Sequence, residues 1–203
     1  MCNIFMKIFV IMGKSCSGKD TLTQSIMQTI KLQKVNNFEY IVPYTTRKPR
    51  DEKELNSGVY NFVTDSEMNL LISSDGFVEV RAYDMCKEGL RRFATILPEL
   101  DINKNYIMVG TKEVSIALHR RGYDVRTIYL TVPTEIRLTR VIKRASDTNK
   151  NYEEALRRFH QDEEDFTHIP SYLHIKEIPS VDFMESYNQV VNYMVSEIEE
   201  SVE

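Results

Sequence analysis

The segment Gly13-Lys14-Ser15-Cys16-Ser17-Gly18-Lys19-Asp20 has the spacing G-x-x-x-x-G-K. Glycines at these positions let successive backbone N–H groups turn inward and surround an anion. A helix beginning at the second glycine would aim its free amides and its dipole at the same anion. Lys19 would reach the β- and γ-phosphates as a point charge, so the segment reads as a nucleoside triphosphate cradle, a P-loop. Gly13, Lys14, Ser15, Cys16, Ser17, Gly18, Lys19, Asp20 and Thr21 are therefore the expected triphosphate-binding residues. Asp20 stands where a Ser or Thr hydroxyl usually ligates magnesium. Its carboxylate can hold Mg²⁺ directly or through water, or serve only as a negative charge favoured at a helix N-terminus. Cys16 is either a filler of the loop or a thiol that makes nucleotide binding sensitive to oxidation.

A second anion-binding pattern lies in Tyr44-Thr45-Thr46-Arg47-Lys48-Pro49-Arg50. Two arginines three apart, with Pro49 stiffening the loop, suit a phosphate clamp, although a solvated basic turn has the same composition. A third basic cluster, Arg137, Arg140, Lys143, Arg144, Arg157 and Arg158, lies between residues 134 and 158. Arg140 and Arg144 are four apart and share one helix face. Salt bridges to Glu153, Glu154 and the acidic run Asp162–Asp165 are the plainer use of Arg137 and Arg157. The three cysteines and four histidines show neither disulfide nor metal-ligand spacing.

These groups need a scaffold to hold them together. Phe5–Met12 is a short apolar run of the kind found in buried parallel strands. Leu22, Ile26 and Ile30 follow the loop at helical spacing, which completes a strand–loop–helix opening. Further strands are expected at Glu39–Pro43, Val59–Val63, Phe77–Tyr83, Tyr106–Val109 and Val125–Val132. Helices are expected at Asp65–Ile72, Thr111–Arg121, Thr134–Ala145, Tyr152–Phe166 and Phe183–Ile198. Strands and helices alternate in the manner of a parallel α/β sheet, except over residues 45–96, which break the rhythm and read as an inserted lobe. With 42% hydrophobic and 28% charged residues, the 203-residue chain has an ordinary globular composition. A net charge of −4 provides no overall basic footprint for nucleic acid. The N-terminal apolar run is too short to span a membrane and lacks a cleavage signal; a cytoplasmic protein is expected. The stripe Tyr187, Val190, Val191, Met194 and Ile198 reads as core packing or as a dimer face, leaving a monomer or a homodimer open.

Taken together, the P-loop, Y-T-T-R-x-P-R, Gly58-Val59-Tyr60-Asn61-Phe62-Val63, Phe77-Val78-Glu79 and the later arginine-rich helices resemble the guanylate kinase family over most of the chain. The resemblance implies a P-loop NTPase three-layer fold with a central parallel sheet, in one domain over residues 1–203. It divides the chain into a core (residues 1–44 and 97–203), an acceptor-nucleotide lobe (about 45–96) and a helical lid (about 137–158). It further implies ATP and Mg²⁺ as cofactors and GMP or dGMP as acceptor. Lys19, Arg140, Arg144 and Arg158 would act on the transferred phosphoryl group. Arg47, Arg50 and Tyr60 would bind the acceptor phosphate, with Glu79 on the guanine edge and Thr95 on base or phosphate. The assignment of Glu79 is chemically coherent, because guanine presents N1–H and an exocyclic amine side by side and one carboxylate accepts from both.

The chain departs from the family pattern at Pro43 and Tyr44, where small hydroxyl residues are usual. The stretch Tyr83–Thr95 is longer than the family segment, and Val109–Gly110 lacks acidic residues. Two other readings stay open: a kinase acting on ribose 1,5-bisphosphate or another small phosphate, and a guanylate-kinase-like binding module without catalysis.

Overall fold

The computed structural model describes residues 6–33, 37–49, 52–85, 89–147 and 152–199. In chain order the elements are β1 (Lys7–Met12), α1 (Lys19–Leu32), β2 (Phe38–Tyr40), β3 (Tyr44–Thr45) and α2 (Glu52–Leu55). They continue with β4 (Asn61–Phe62), α3 (Asp65–Ile72), β5 (Phe77–Met85), β6 (Gly89–Ile96) and β7 (Asn105–Val109). The remainder are α4 (Lys112–Arg120), β8 (Asp124–Thr131), α5 (Thr134–Asp147), α6 (Tyr152–Asp165), β9 (Ile175–Pro179) and α7 (Phe183–Glu199).

The central sheet has the order β2-β7-β1-β8-β9 with every pairing parallel. All six residues of β1 are buried, because strands on both sides and helices on both faces leave it no solvent edge. Its alternation divides the core in two. Ile8 and Val10 pack with Met108, Val114 and Leu118 beneath α4. Phe9 and Ile11 pack with Leu22, Ile26, Val190 and Met194 beneath α1 and α7. The result is a three-layer α/β fold, and the apolar stripe of α7 lies in this core. Lys7, which interrupts the apolar run, is buried at the strand end and pairs with Asp124 at 3.0 Å. The chain leaves β1 toward β7 and β2 on one side, whereas α4 carries it from β7 to β8 on the other. The strand order thus reverses at the C-terminal end of β1, the place where open α/β sheets form ligand crevices. Among the described residues no helix is long and apolar enough to cross a membrane.

A second sheet, β4-β3-β6-β5, is built from residues 44–96. β3 and β4 run parallel, while β6 pairs antiparallel with both β3 and β5. Val78 and Leu97 dock it onto the β1–α4 core. Between this sheet's strands, α3 starts with a capping box: Thr64 Oγ1 accepts from Glu67 N, and Glu67 Oε2 accepts from Thr64 N at 2.7 Å.

Three expectations are revised. The stretch Tyr83–Thr95 contributes the end of β5 and most of β6, paired in register from Tyr83↔Arg91 to Met85↔Gly89. The strand expected over Val59–Val63 is only two residues long, because Val59, Tyr60 and Val63 lie outside it. β3, α2 and β9 were not anticipated. β9 is an edge strand whose central Lys176 and Glu177 are exposed, so no apolar run announces it.

Candidate functional site

The glycine loop connects β1 to α1 as its spacing requires. Gly18 is the N-cap of α1 at φ 91°, a left-handed conformation that costs glycine little. Gly13 is required for a different reason: a Cβ there would lie 2.5 Å from Ser17 Oγ and 3.0 Å from the Leu130 carbonyl. Cys16 also has positive φ, 63°, so the loop turns its amides inward through both residues. Ser180 Oγ donates to the Ser17 carbonyl at 2.8 Å and secures the loop from the β9 side. Asp20 opens the first turn of α1, and its Oδ1 is buried without a hydrogen-bond partner. Burial first, then the charges of Tyr60 and Asp20, push the Tyr40 hydroxyl well above its ordinary range.

One cleft of about 500 Å³ opens over the loop. Lys19 and Asp20 line its floor, Arg47 and Tyr60 one wall, and Arg140, Arg144 and Arg158 the other. Arg140 is held there by carbonyls: its Nη1 donates to Cys16 at 3.3 Å and Ser180 at 3.1 Å, and its Nη2 to Val181 at 2.9 Å. Arg158 Nη2 reaches Met85 Sδ at 3.8 Å, linking α6 to β5. The sequence reading missed Phe93, Ser180, Val181 and Phe183, which also line the cleft.

Arg47 is more constrained than an exposed clamp would be. Its side chain is 3% exposed and meets Glu54 through two hydrogen bonds, at 3.0 and 2.8 Å. Nη1 also donates to the Lys48 carbonyl at 2.7 Å, and the guanidinium lies 5.6 Å from the rings of both Tyr60 and Phe62. Among the described residues three of its five N–H groups are thus engaged, leaving two. Arg50, its expected partner, lies outside the described residues.

Glu79 and Thr95 are cross-strand neighbours on β5 and β6. Thr95, expected to touch base or phosphate, is 1% exposed and donates to Glu79 Oε1 at 3.0 Å. Glu79 Oε2 accepts from Arg81 Nε at 2.9 Å. A smaller pocket of about 170 Å³ lies between this sheet, the loop and α6, lined by Lys19, Tyr60, Arg81, Tyr83, Arg158 and Asp162 among others. Arg157, read as a partner in surface ion pairs, also lines it.

Helices α5 and α6 touch the loop directly. Ser15 N donates to Asp162 Oδ2 at 2.7 Å, and Lys14 Nζ to Glu163 Oε2. Burial raises the Asp162 carboxyl above its usual range, against the opposing effects of the Ser15 hydrogen bond, Lys19 and Arg137. The Lys14 hydrogen bond, with Arg137 beside it, holds the Glu163 carboxyl below the ordinary value. Arg137 is 1% exposed, stacks 4.0 Å from the Phe159 ring and pairs with Glu163, so its role is to join α5 to α6. Among the described residues no cluster of three or more His, Cys, Asp or Glu side chains is placed to hold a metal ion.

The likeness to known proteins extends over nearly the whole chain. The guanylate kinase family model matches residues 5–197. The guanylate kinase of Francisella tularensis subsp. holarctica is 28% identical over 198 residues, 95% of this chain and 97% of that one. That of Clostridium acetobutylicum is 29% identical over 145 residues, 71% of this chain and 66% of its own. The crystal structure of guanylate kinase from Anaplasma phagocytophilum shares the fold, with a TM-score of 0.66 over 97% of this chain and 88% of that chain, at 18% identity. With its P-loop, a second sheet across the cleft and two arginine-bearing helices above it, the chain belongs to the guanylate kinase family, whose members phosphorylate GMP to GDP with ATP.

Proposed function

We propose that this chain transfers the γ-phosphoryl group of ATP to the phosphate of GMP or dGMP, with the P-loop as donor site and the sheet of residues 44–96 as acceptor lobe. The observation that carries the reading is that Lys19, Arg47, Tyr60, Arg140, Arg144 and Arg158 line one cleft. A donor and an acceptor phosphate held there would meet end to end.

The acceptor phosphate is already an anion near neutral pH, so the transfer requires positioning and charge neutralisation rather than a general base. The loop amides and Lys19 hold the β- and γ-phosphates. Arg140, fixed by three carbonyls, presents its charge to the transferred group together with Arg144 and Arg158. Arg47 uses its two remaining N–H groups, and Tyr60 its hydroxyl, to hold the acceptor phosphate in line, with Arg50 as their partner in the same clamp. Glu79, oriented by Thr95, accepts from guanine N1–H and the exocyclic amine. Asp20 fits a divalent cation, since its Oδ1 is a buried hard oxygen with no hydrogen-bond partner. Mg²⁺ bound there with ATP would offset the charge of the phosphates. Closure of α5 and α6 over the cleft would exclude water and limit ATP hydrolysis.

The test is an ADP-release assay with ATP·Mg²⁺ and GMP, dGMP, AMP, UMP or ribose 1,5-bisphosphate. Turnover of GMP without AMP is expected, and Lys19→Ala should abolish it. Turnover of ribose 1,5-bisphosphate alone would move the acceptor to a sugar phosphate. ATP binding with no turnover of any acceptor would leave a binding module.

A further inference from the structure

The mechanism above gives Arg81 no task, yet it is the most conspicuous charge in the acceptor wall. β5 alternates so that Glu79, Arg81 and Tyr83 are half-buried on one face, while Val80, Ala82 and Asp84 are exposed on the other. Arg81 donates through Nε to Glu79 at 2.9 Å and through Nη1 to Tyr83 Oη at 3.5 Å, the limit of a hydrogen bond. Among the described residues these are its hydrogen bonds, so three of its five N–H groups remain. Its side chain is 21% exposed and lines the smaller pocket, whereas Glu79, 11% exposed, sits beside it with each oxygen already accepting one donor.

Guanine presents its edge in a fixed order: exocyclic amine, N1–H, then O6. A carboxylate that accepts from the first two places whatever stands next to it opposite O6. The group hydrogen-bonded to Glu79 on the pocket side is the Arg81 guanidinium, a donor, and arginine is the side chain most often found on the oxygen and ring nitrogen of guanine. We propose that Arg81 is a specificity-determining residue that donates to guanine O6, so that Glu79 and Arg81 together read the donor–donor–acceptor edge. This rests on the guanylate kinase reading of the acceptor. Adenine would set its N1 lone pair against the carboxylate and its amine against the guanidinium, acceptor facing acceptor and donor facing donor. Arg81 also neutralises Glu79 while no base is bound, so the carboxylate is held in place without an isolated buried charge.

The experiment measures kcat/KM of the whole 203-residue chain for GMP, 6-thio-GMP and AMP at saturating ATP, and the KM for ATP at saturating GMP, in wild type, Arg81→Met and Arg81→Gln. The sulfur analogue keeps N1–H and the amine but replaces O6 with a poor acceptor. Wild type should prefer GMP over 6-thio-GMP by about ten-fold or more. Arg81→Met should lose roughly ten- to a hundred-fold on GMP, mainly through KM, with the GMP to 6-thio-GMP ratio falling to near one and the KM for ATP unchanged. A variant that lowers both nucleotides equally and preserves the ratio would overturn the proposal, because Arg81 would then act only by supporting Glu79. Equal use of GMP and 6-thio-GMP by wild type would overturn it without reference to any variant's folding. Wild type inactive on GMP but active on another acceptor would instead reject the acceptor reading on which it rests.

Discussion

Glu54→Ala tests whether the buried Arg47 is an acceptor-phosphate residue or only part of the second sheet's packing. The guanidinium is 3% and the carboxylate 13% exposed, and two hydrogen bonds join them. Removing one partner of a buried pair typically costs 3–5 kcal/mol, because the other charge stays buried without it. The Lys48 carbonyl at 2.7 Å and the two rings at 5.6 Å would still hold the cation, so the loss should fall near the lower end, about 3 kcal/mol. For a chain of this size that lowers the unfolding midpoint by roughly 6–12 °C, which calorimetry or a urea titration measures directly. A phosphate bound at Arg47 would return the missing counter-charge. Saturating GMP should therefore raise the midpoint of Glu54→Ala by more than it raises that of wild type. An equal shift in the two proteins would show that the acceptor phosphate does not reach Arg47. A destabilisation below about 1 kcal/mol would refute the claim that the pair is a buried one.

Three further outcomes follow from the donor side. Gly13→Ala would place a methyl 2.5 Å from Ser17 Oγ and 3.0 Å from a β8 carbonyl, so the loop must shift; the KM for ATP should rise by about a hundred-fold, and an unchanged KM would show that the loop tolerates the intrusion. Asp162 occupies the Ser15 amide that a triphosphate would need. Asp162→Asn makes that bond neutral and should tighten ATP binding about five-fold by calorimetry, whereas equal or weaker binding would mean that Asp162 does not compete. Glu163 has a depressed carboxyl pKa because of Lys14 and Arg137. Its contribution to stability is present above the ordinary glutamate value and is lost as pH falls through the depressed one. Thermal midpoints of wild type should thus fall more steeply than those of Glu163→Gln between about pH 5 and 3, and parallel curves would remove Glu163 from the account.

The features legible in the sequence are those whose chemistry lies within one contiguous stretch. The phosphate loop is eight residues long, and both its anion geometry and its flanking strand and helix follow from glycine placement and apolar spacing. Thr64 and Glu67 announce a helix start in the same local way. β9 was invisible because an edge strand with exposed Lys176 and Glu177 has no apolar period to detect. β6 was obscured because Arg91 and Arg92 interrupt a strand that is held by its partners rather than by its composition.

The site was less legible wherever a contact spans the chain. Asp162 and Glu163 sit in an acidic run on an arginine-rich helix, and ordinary i, i+4 pairing accounts for such a pattern completely. Their bonds to Ser15 and Lys14, 147 and 149 residues away, exist only because α6 folds back over β1. Arg47 was read as a phosphate-type arginine by composition, but the Glu54 that buries it lies across a loop whose course the sequence does not dictate. Arg81 is the opposite case. It stands two residues from Glu79 in a strand, and strand periodicity alone puts both on one face. A carboxylate nominated to read a base therefore had a predictable cationic neighbour. What only the fold could add is which of the two faces the pocket, and there the guanidinium is the more exposed of the pair. Under the proposed guanine reading, Glu79 and Arg81 would act as one unit, because each holds the other's charge at the pocket wall.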